Sequence, residues 1–170
     1  MRNSGCSSNM KIERPDDEEL QALYQKFGEP EIKEEEVSLS SLEYKGDYPE
    51  CKGEAVLEIK KDNKIVGVRH SAGEKFVLPM GRVWKSEDFI EGAKREAKEE
   101  TGLQVEIESF EEMRKVRFEF SNTELERWHL LFEAEISDGN LKPEDQKEIE
   151  EAKLFDGDWY WSNGFYILRR

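Results

Sequence analysis

The sequence predicts an α/β fold built on a mixed β-sheet, and three observations carry that expectation. Short segments of alternating apolar and polar residues lie on both sides of one strongly patterned helix near the middle of the chain. Most of those segments are joined by turn-forming residues such as Asp62-Asn63, Asn122-Thr123-Glu124 and Asp138-Gly139-Asn140, which favour hairpins over long crossovers. At 170 residues, the chain suits one domain with a full core plus an extension. Hydrophobic residues make up only 36%, but four Trp, five Tyr and nine Phe argue for a folded chain over a disordered one.

In chain order, residues 1–10 are polar and expected to be disordered, with Met10 an alternative start. Residues 16–27 read as a helix. Pro15-Asp16-Asp17 starts it, Leu20, Leu23, Tyr24 and Phe27 repeat at helical spacing, and Gly28-Glu29-Pro30 stops it. Its apolar stripe is expected to pack on the rest of the chain, with a homodimer contact as the alternative. Residues 31–50 are acidic, then polar. Leu39, Leu42 and Tyr44 are anchors, and Gly46-Asp47-Tyr48-Pro49 is a turn into the core. The chain therefore divides into an N-terminal extension, 1–50, partly disordered with one amphipathic helix, and a main domain, 51–170.

In the main domain, 54–60 alternates around Ala55, Leu57 and Ile59, and 65–69 follows as its hairpin partner. Residues 76–78 form a third strand, ended by Pro79. After the helix, strands are expected at 103–107, 114–121 (RKVRFEFS), 128–136 and 152–155, followed by an aromatic tail, DWYWSNGFYILRR.

The central stretch, Gly81 to Leu103, reads GRVWKSEDFIEGAKREAKEETGL. Ser86 is a fitting N-cap for a helix from about Glu87 to Thr101, with Gly102 at its C-terminal end. Helical geometry then puts Glu96, Glu99 and Glu100 on one face. Ile90, Ala93 and Ala97 form an adjacent apolar stripe, and Lys94, Lys98, Glu91 and Arg95 point outward. Gly92 falls one turn before Glu96, where a bulky side chain would obstruct the acidic face. In a chain with 39% charged residues a Glu-Glu pair alone means nothing, and the bland reading is a solvated acidic helix. Three clustered carboxylates, however, repel one another unless cations are present, and carboxylate oxygens are the donors that hard divalent ions prefer.

The full spacing resembles the Nudix box, G-x5-E-x7-R-E-U-x-E-E-x-G-U with U aliphatic. Gly81, Glu87, Arg95, Glu96, Ala97, Glu99, Glu100, Gly102 and Leu103 fill every specified position, Ala97 being small for U. The resemblance implies a Nudix α/β/α sandwich with a mixed sheet and the box as a loop-helix-loop. The implied activity is Mg²⁺-dependent hydrolysis of a diphosphate linkage, with Mn²⁺ as an alternative ion. The substrate would be a nucleoside diphosphate joined to another group, or a nucleoside triphosphate. By the same resemblance Glu96, Glu99, Glu100 and the backbone carbonyl of Gly81 hold the metal, and Glu96 or Glu99 is the general base. Arg95 orients a glutamate, and Glu87 steadies the loop. Glu148, with Glu151 second, matches the glutamate that completes the metal site in many relatives. Arg69 stands where relatives often present a basic residue to the phosphates. Trp84 and Phe118 are stacking candidates, and His129 reads as a structural histidine. Met80 departs from the pattern, since a second glycine often precedes the box glycine. Motifs that mark ADP-ribose, coenzyme A or NADH pyrophosphatases are absent.

The net charge of −14 disfavours general binding to nucleic acid or anionic membranes, and bound metal can still draw an anionic nucleotide. No apolar run approaches a signal segment or membrane span, so a cytosolic location is expected. Cys6 and Cys51 form no metal or disulfide pattern. Two rival functions are a non-catalytic nucleotide-sensing Nudix module and an isoprenoid diphosphate isomerase, which has a related fold. The isomerase needs a cysteine at its site, and Cys51 is the only candidate in the main domain.

Overall fold

The computed structural model describes residues 10–46 and 50–169. The expectations of disorder at 1–9 and of a turn at 47–49 lie outside the described residues. In chain order the elements are β1 (Lys11–Glu13), α1 (Asp17–Phe27), β2 (Glu31–Leu39), β3 (Cys51–Lys61), β4 (Lys64–His70), β5 (Met80–Trp84), α2 (Phe89–Thr101), β6 (Leu103–Phe120), β7 (Glu124–Gly139), β8 (Ile149–Asp156), β9 (Trp159–Ser162) and β10 (Phe165–Leu168).

Strand β7 is the spine of a mixed sheet with the order β2-β6-β7-β3-β4-β8. β6 lies antiparallel along one edge of β7, with Met113 opposite Leu130. β1 and β3 pair with β7 in parallel, with Ile12 opposite Glu126 and Leu57 opposite Phe132. β2 adds in parallel to the outside of β6. β5 pairs with the first half of β3, putting Gly81 opposite Ala55. Asp62 and Asn63, both at positive φ, make the expected tight turn between β3 and β4.

The class is α/β with a mixed sheet, as expected, and the sheet is covered on both faces. On one face Leu57, Ile59, Phe110, Leu130 and Phe132 meet Leu20 and Leu23 of α1 and Phe89, Ala93 and Ala97 of α2. On the other face Val56, Leu78, Leu131 and Tyr166 form a second cluster, with Trp159 and Trp161 packed against it from the β9–β10 hairpin. Both helices of the described residues thus share one face, and a β-hairpin covers the other.

Several boundaries differ from the sequence reading. The segments 103–107 and 114–121 are one 18-residue strand, β6, interrupted only by register shifts at Gln104/Val105, Ile107/Ser109 and Phe110/Glu112. β7 and β8 start earlier than expected. Residues 80–84 form a strand instead of a loop, whereas the expected strand at 76–78 is reduced to bridges from Val77 to Val68 and Ile167. β1 and β2 were not anticipated. Their sequences, KIE and EIKEEEVSL, are rich in glutamate, which disfavours strands, and they bury only Glu13 and Val37.

Helix α1 has the expected limits, with Asp16 accepting from the Glu19 amide (2.8 Å). Its stripe covers the chain's own sheet: Tyr24 stacks on Phe110 and Phe27 meets Phe132 edge-on. The packing alternative therefore occupies the face that a homodimer contact would have used. The helix also reaches α2, since the Glu19 carboxylate accepts from the Phe89 amide (2.8 Å) and from Lys52 Nζ (2.7 Å). No helix of the described residues is long and apolar enough to cross a membrane.

Candidate active site

Helix α2 begins two residues later than the sequence suggests. Asp88, not Ser86, is the N-cap, in a reciprocal capping box: the Glu91 amide donates to Asp88 Oδ1 (2.8 Å) and the Asp88 amide to Glu91 Oε1 (3.0 Å). This frees Glu87 for the loop, where its Oε1 accepts from the Trp84 amide (3.2 Å). At the other end Gly102 takes the left-handed conformation (φ 80°), and its amide donates to the Lys98 carbonyl (2.9 Å).

Arg95 does not point outward as expected but folds back over the loop. Its Nε donates to Glu87 Oε2 (3.1 Å) and its Nη2 to the Arg82 carbonyl (2.9 Å). Its Nη1 donates to Glu96 Oε1 (2.8 Å) and to Glu99 Oε2 (3.2 Å). One guanidinium thus ties the loop to two of the three glutamates. Hydrogen bonding to Glu87, working against burial, raises the Arg95 pKa, and Glu96 adds to the effect. Burial pushes Glu87 up, but Arg95 and the Trp84 amide more than offset it and hold the carboxyl below its ordinary value.

Glu96, Glu99 and Glu100 all face a cleft of about 700 Å³, which Gly81, Trp84, Arg95 and Glu148 also line. Burial pushes the Glu96 carboxyl up to about 7; Arg95 opposes this, and the charges of Glu99 and Glu148 reinforce it. Burial also raises Glu100 well above the carboxylate range, helped by Glu96 and Glu148 and opposed by the Met80 amide, which donates to Glu100 Oε1 (3.2 Å). A Cβ on Gly81 would lie 2.0 Å from the Glu96 carboxyl carbon, so only glycine lets this backbone and that carboxylate share the space. Gly92 serves a different neighbour from the one expected. A Cβ there would press on Val83 (2.8 Å) and Glu87 (3.2 Å) before any cleft glutamate.

Glu148 reaches the same cleft because its loop is stitched to the end of α2. The Glu99 carbonyl accepts from the Glu144 and Asp145 amides (2.9 Å each), and the Thr101 carbonyl from the Lys142 amide (2.9 Å). Ser71 holds the far side, its amide donating to the Glu148 carbonyl (2.9 Å). Glu151 and Arg69 take no part. They stand opposite each other on β8 and β4, and Arg69 pairs with Glu150 (3.7 Å) and Glu151 (3.6 Å), so the expected contact of Arg69 with phosphate is not supported. His70, the next residue on the strand, lines the cleft instead. Trp84 and Phe118, the stacking candidates, both line it.

The opposite wall was not legible in the sequence. Glu54, Arg82 and Arg127 line the cleft from β3, β5 and β7. Arg127 is hydrogen-bonded to the fully buried Glu13 of β1, and its Nη1 lies 3.6 Å from Glu54. His129 Nε2 lies 3.3 Å from Glu54, and its Nδ1 lies 3.0 Å from the Tyr166 hydroxyl, which makes it structural as expected. Burial would raise Glu54, but the hydrogen bond and charge of His129, and then Arg127, bring its carboxyl down to about 2. The sequence signal was weak, because Glu54 shares β3 with Lys52 and Glu58, and Arg127 shares β7 with Glu126 and Glu133. Cys51 is outside the cleft lining; its thiol is buried, donates to the Gly53 carbonyl (3.2 Å), and is pushed up to about 11 chiefly by burial.

The donor set fits a hard divalent cation, since buried carboxylates of raised pKa gain from a countercharge and oxygen is their only donor type. Among the described residues no three His, Cys, Asp or Glu side chains are grouped tightly enough to grip an ion as they stand. Arg95 Nη1 sits between Glu96 and Glu99, so an ion taking those oxygens must displace it.

The family model described as NUDIX domain matches residues 52–163, well over half of the chain. Among solved structures, a NUDIX hydrolase from Nitrosomonas europaea is 24% identical, with a TM-score of 0.48, over 64% of this chain and 58% of its own. A UDP-X diphosphatase is 19% identical, with a TM-score of 0.49, over 83% of this chain and 59% of its own. An ADP-ribose pyrophosphatase from Streptococcus suis is 18% identical, with a TM-score of 0.46, over 60% and 71%. The chain thus spans less than two thirds of the length of the first of these. No curated protein matches.

Proposed function

Because the chain belongs to the NUDIX family, we propose that it is a Mg²⁺-dependent pyrophosphohydrolase that cleaves the diphosphate linkage of a nucleoside diphosphate joined to another group. The observation that carries this reading is the convergence of Glu96, Glu99, Glu100 and Glu148 on one cleft, with Gly81 packed against Glu96.

A divalent ion bound there would neutralise the diphosphate and lower the pKa of water. The chain's own residues do the rest. Glu96, Glu100, Glu148 and the Gly81 carbonyl hold the ion. Glu99 is the most exposed of the three helix glutamates and is the base: it takes the proton as water oxygen attacks phosphorus and the bridging P–O bond breaks. The products are a nucleotide and a phosphorylated fragment. Arg95, held by Glu87, keeps Glu96 and Glu99 aimed at the cleft.

The orientation of all three helix glutamates into the cleft favours catalysis over nucleotide sensing, which needs no such set. The burial of Cys51 away from the cleft counts against the isomerase. The test is product release by the full chain with Mg²⁺ or Mn²⁺ from nucleotide sugars, ADP-ribose, dinucleoside polyphosphates and nucleoside triphosphates. Glu99→Gln should lower kcat about a thousandfold with an unchanged circular dichroism spectrum and retained metal binding by calorimetry. A near-normal rate in that variant would overturn the assignment.

A further inference from the structure

A second cavity of about 470 Å³ opens from the glutamate cleft, and the two share Leu39, Arg82, Phe118 and Arg127 as common walls. Its far side is aromatic. The Tyr44 ring lies 5.2 Å from that of Phe120, and Phe118 lies 6.4 Å from Phe120. This side is also built firmly. The Tyr44 amide donates to Asn122 Oδ1 (2.9 Å), Asn122 Nδ2 returns a bond to the Tyr44 carbonyl (2.8 Å), and the Ser121 amide donates to the Leu42 carbonyl (2.8 Å). Pairing of β2 with β6 sets Leu39 opposite Phe120. Half of the cavity's lining, Leu39 and Leu42 to Lys45, comes from residues before 52, outside the matched family region. In a chain of charge −14, the cavity is lined by Lys45 and Arg82 against the single carboxylate of Glu43, and by Arg127, whose charge Glu13 and Glu54 engage from the other side.

Cations at a threshold followed by ring faces suit an anionic group that continues into a flat aromatic one. We infer that this side cavity receives the nucleobase of a nucleoside diphosphate whose phosphates lie in the glutamate cleft, with the N-terminal extension supplying the recognition wall. The inference rests on the diphosphate-hydrolase reading and goes beyond it by assigning the base a place and a chemistry.

The test is calorimetric titration of the full chain with ADP, UDP, 5-phosphoribosyl 1-diphosphate and inorganic pyrophosphate, using Ca²⁺ in place of Mg²⁺ to slow turnover. ADP or UDP should bind at least about tenfold more tightly than the two ligands that lack a base. Phe118→Leu keeps apolar volume but removes one ring face, and Phe120→Leu removes another that lines the side cavity and not the glutamate cleft. Each should weaken that preference while leaving pyrophosphate affinity within about twofold. Phe118→Leu carries the test if Phe120→Leu fails to fold. If pyrophosphate binds, in a manner lost in Glu96→Gln, but the base adds nothing, the side cavity is wrong and the hydrolase reading stands. Equal weakening of all ligands by Phe118→Leu, or equal affinity for the sugar diphosphate and the nucleotides, overturns it likewise. If no ligand binds, both readings fall.

Discussion

The two walls of the cleft carry buried glutamates in opposite electrostatic conditions. On the β-sheet wall Glu54 has its own countercharges, Arg127 and His129, and its carboxyl is held down at about 2. On the helix wall Glu96 and Glu100 are buried among other carboxylates, share little beyond one Nη1 of Arg95 and the Met80 amide, and are pushed up, Glu96 to about 7. Burial acts on both walls with the same sign. What differs is whether the fold itself supplies the compensating charge. A carboxylate neutralised from within is part of the scaffold, whereas a set left uncompensated is suited to an external cation.

The sharpest way to break this contrast is to neutralise one glutamate on each wall. Glu96→Gln should abolish Mg²⁺ binding and activity, a loss of at least about a hundredfold, yet stabilise the metal-free protein at pH 8. Glu54→Gln should leave Arg127 and His129 buried without their partner and cost about 3 kcal/mol in denaturant unfolding. If both variants shifted stability in the same direction, the contrast would fail.

Proton linkage sharpens it further, because the two walls have opposite signs. The Glu96 carboxyl is raised from 4.5 to about 7 on folding, so its contribution is fully present below pH 4.5 and is lost as pH rises through 7, about 3 kcal/mol in all. The Glu54 carboxyl is lowered from 4.5 to about 2, so its contribution is present above pH 4.5 and is lost as pH falls toward 2. Melting curves of the metal-free protein from pH 3 to 8 should therefore soften their alkaline decline in Glu96→Gln, with Glu100 supplying the remainder, and soften their acid decline in Glu54→Gln.

A smaller effect is expected from Gly81→Ala. Its Cβ would force the Glu96 carboxyl away from the backbone, weakening Mg²⁺ affinity about tenfold to a hundredfold in a calorimetric titration while the fold persists. The smallest belongs to Arg69→Ala. Its charge is engaged with Glu150 and Glu151 outside the cleft, so kcat and KM should stay within about twofold in steady-state assays.

Legibility followed the range of the interactions. The helix wall could be read in advance because its glutamates lie within five residues of one another, and helical geometry alone brings them together. Even there Arg95 was misread, because its direction depends on Glu87 and on the Arg82 carbonyl, eight and thirteen residues away. The Asp88 cap was missed because Ser86 is an equally good capping type, and tertiary use of Glu87 decided between them. β1 and β2 carry little strand signal of their own. Their partners, Arg127 and the residues around Phe118, lie roughly eighty to more than a hundred positions downstream.

Residue order by itself determined the α/β class, the glutamate helix and the chemistry that three neighbouring carboxylates can perform, since periodicity and local spacing are properties of the chain. Only the folded molecule put Asp145 and Glu54 on the cleft, set Glu148 there beside the helix glutamates as the resemblance implied, left Arg69 outside the lining, and made Leu39 part of the wall. Those outcomes depend on strand register and on charges meeting across long sequence separations, and no local pattern encodes either.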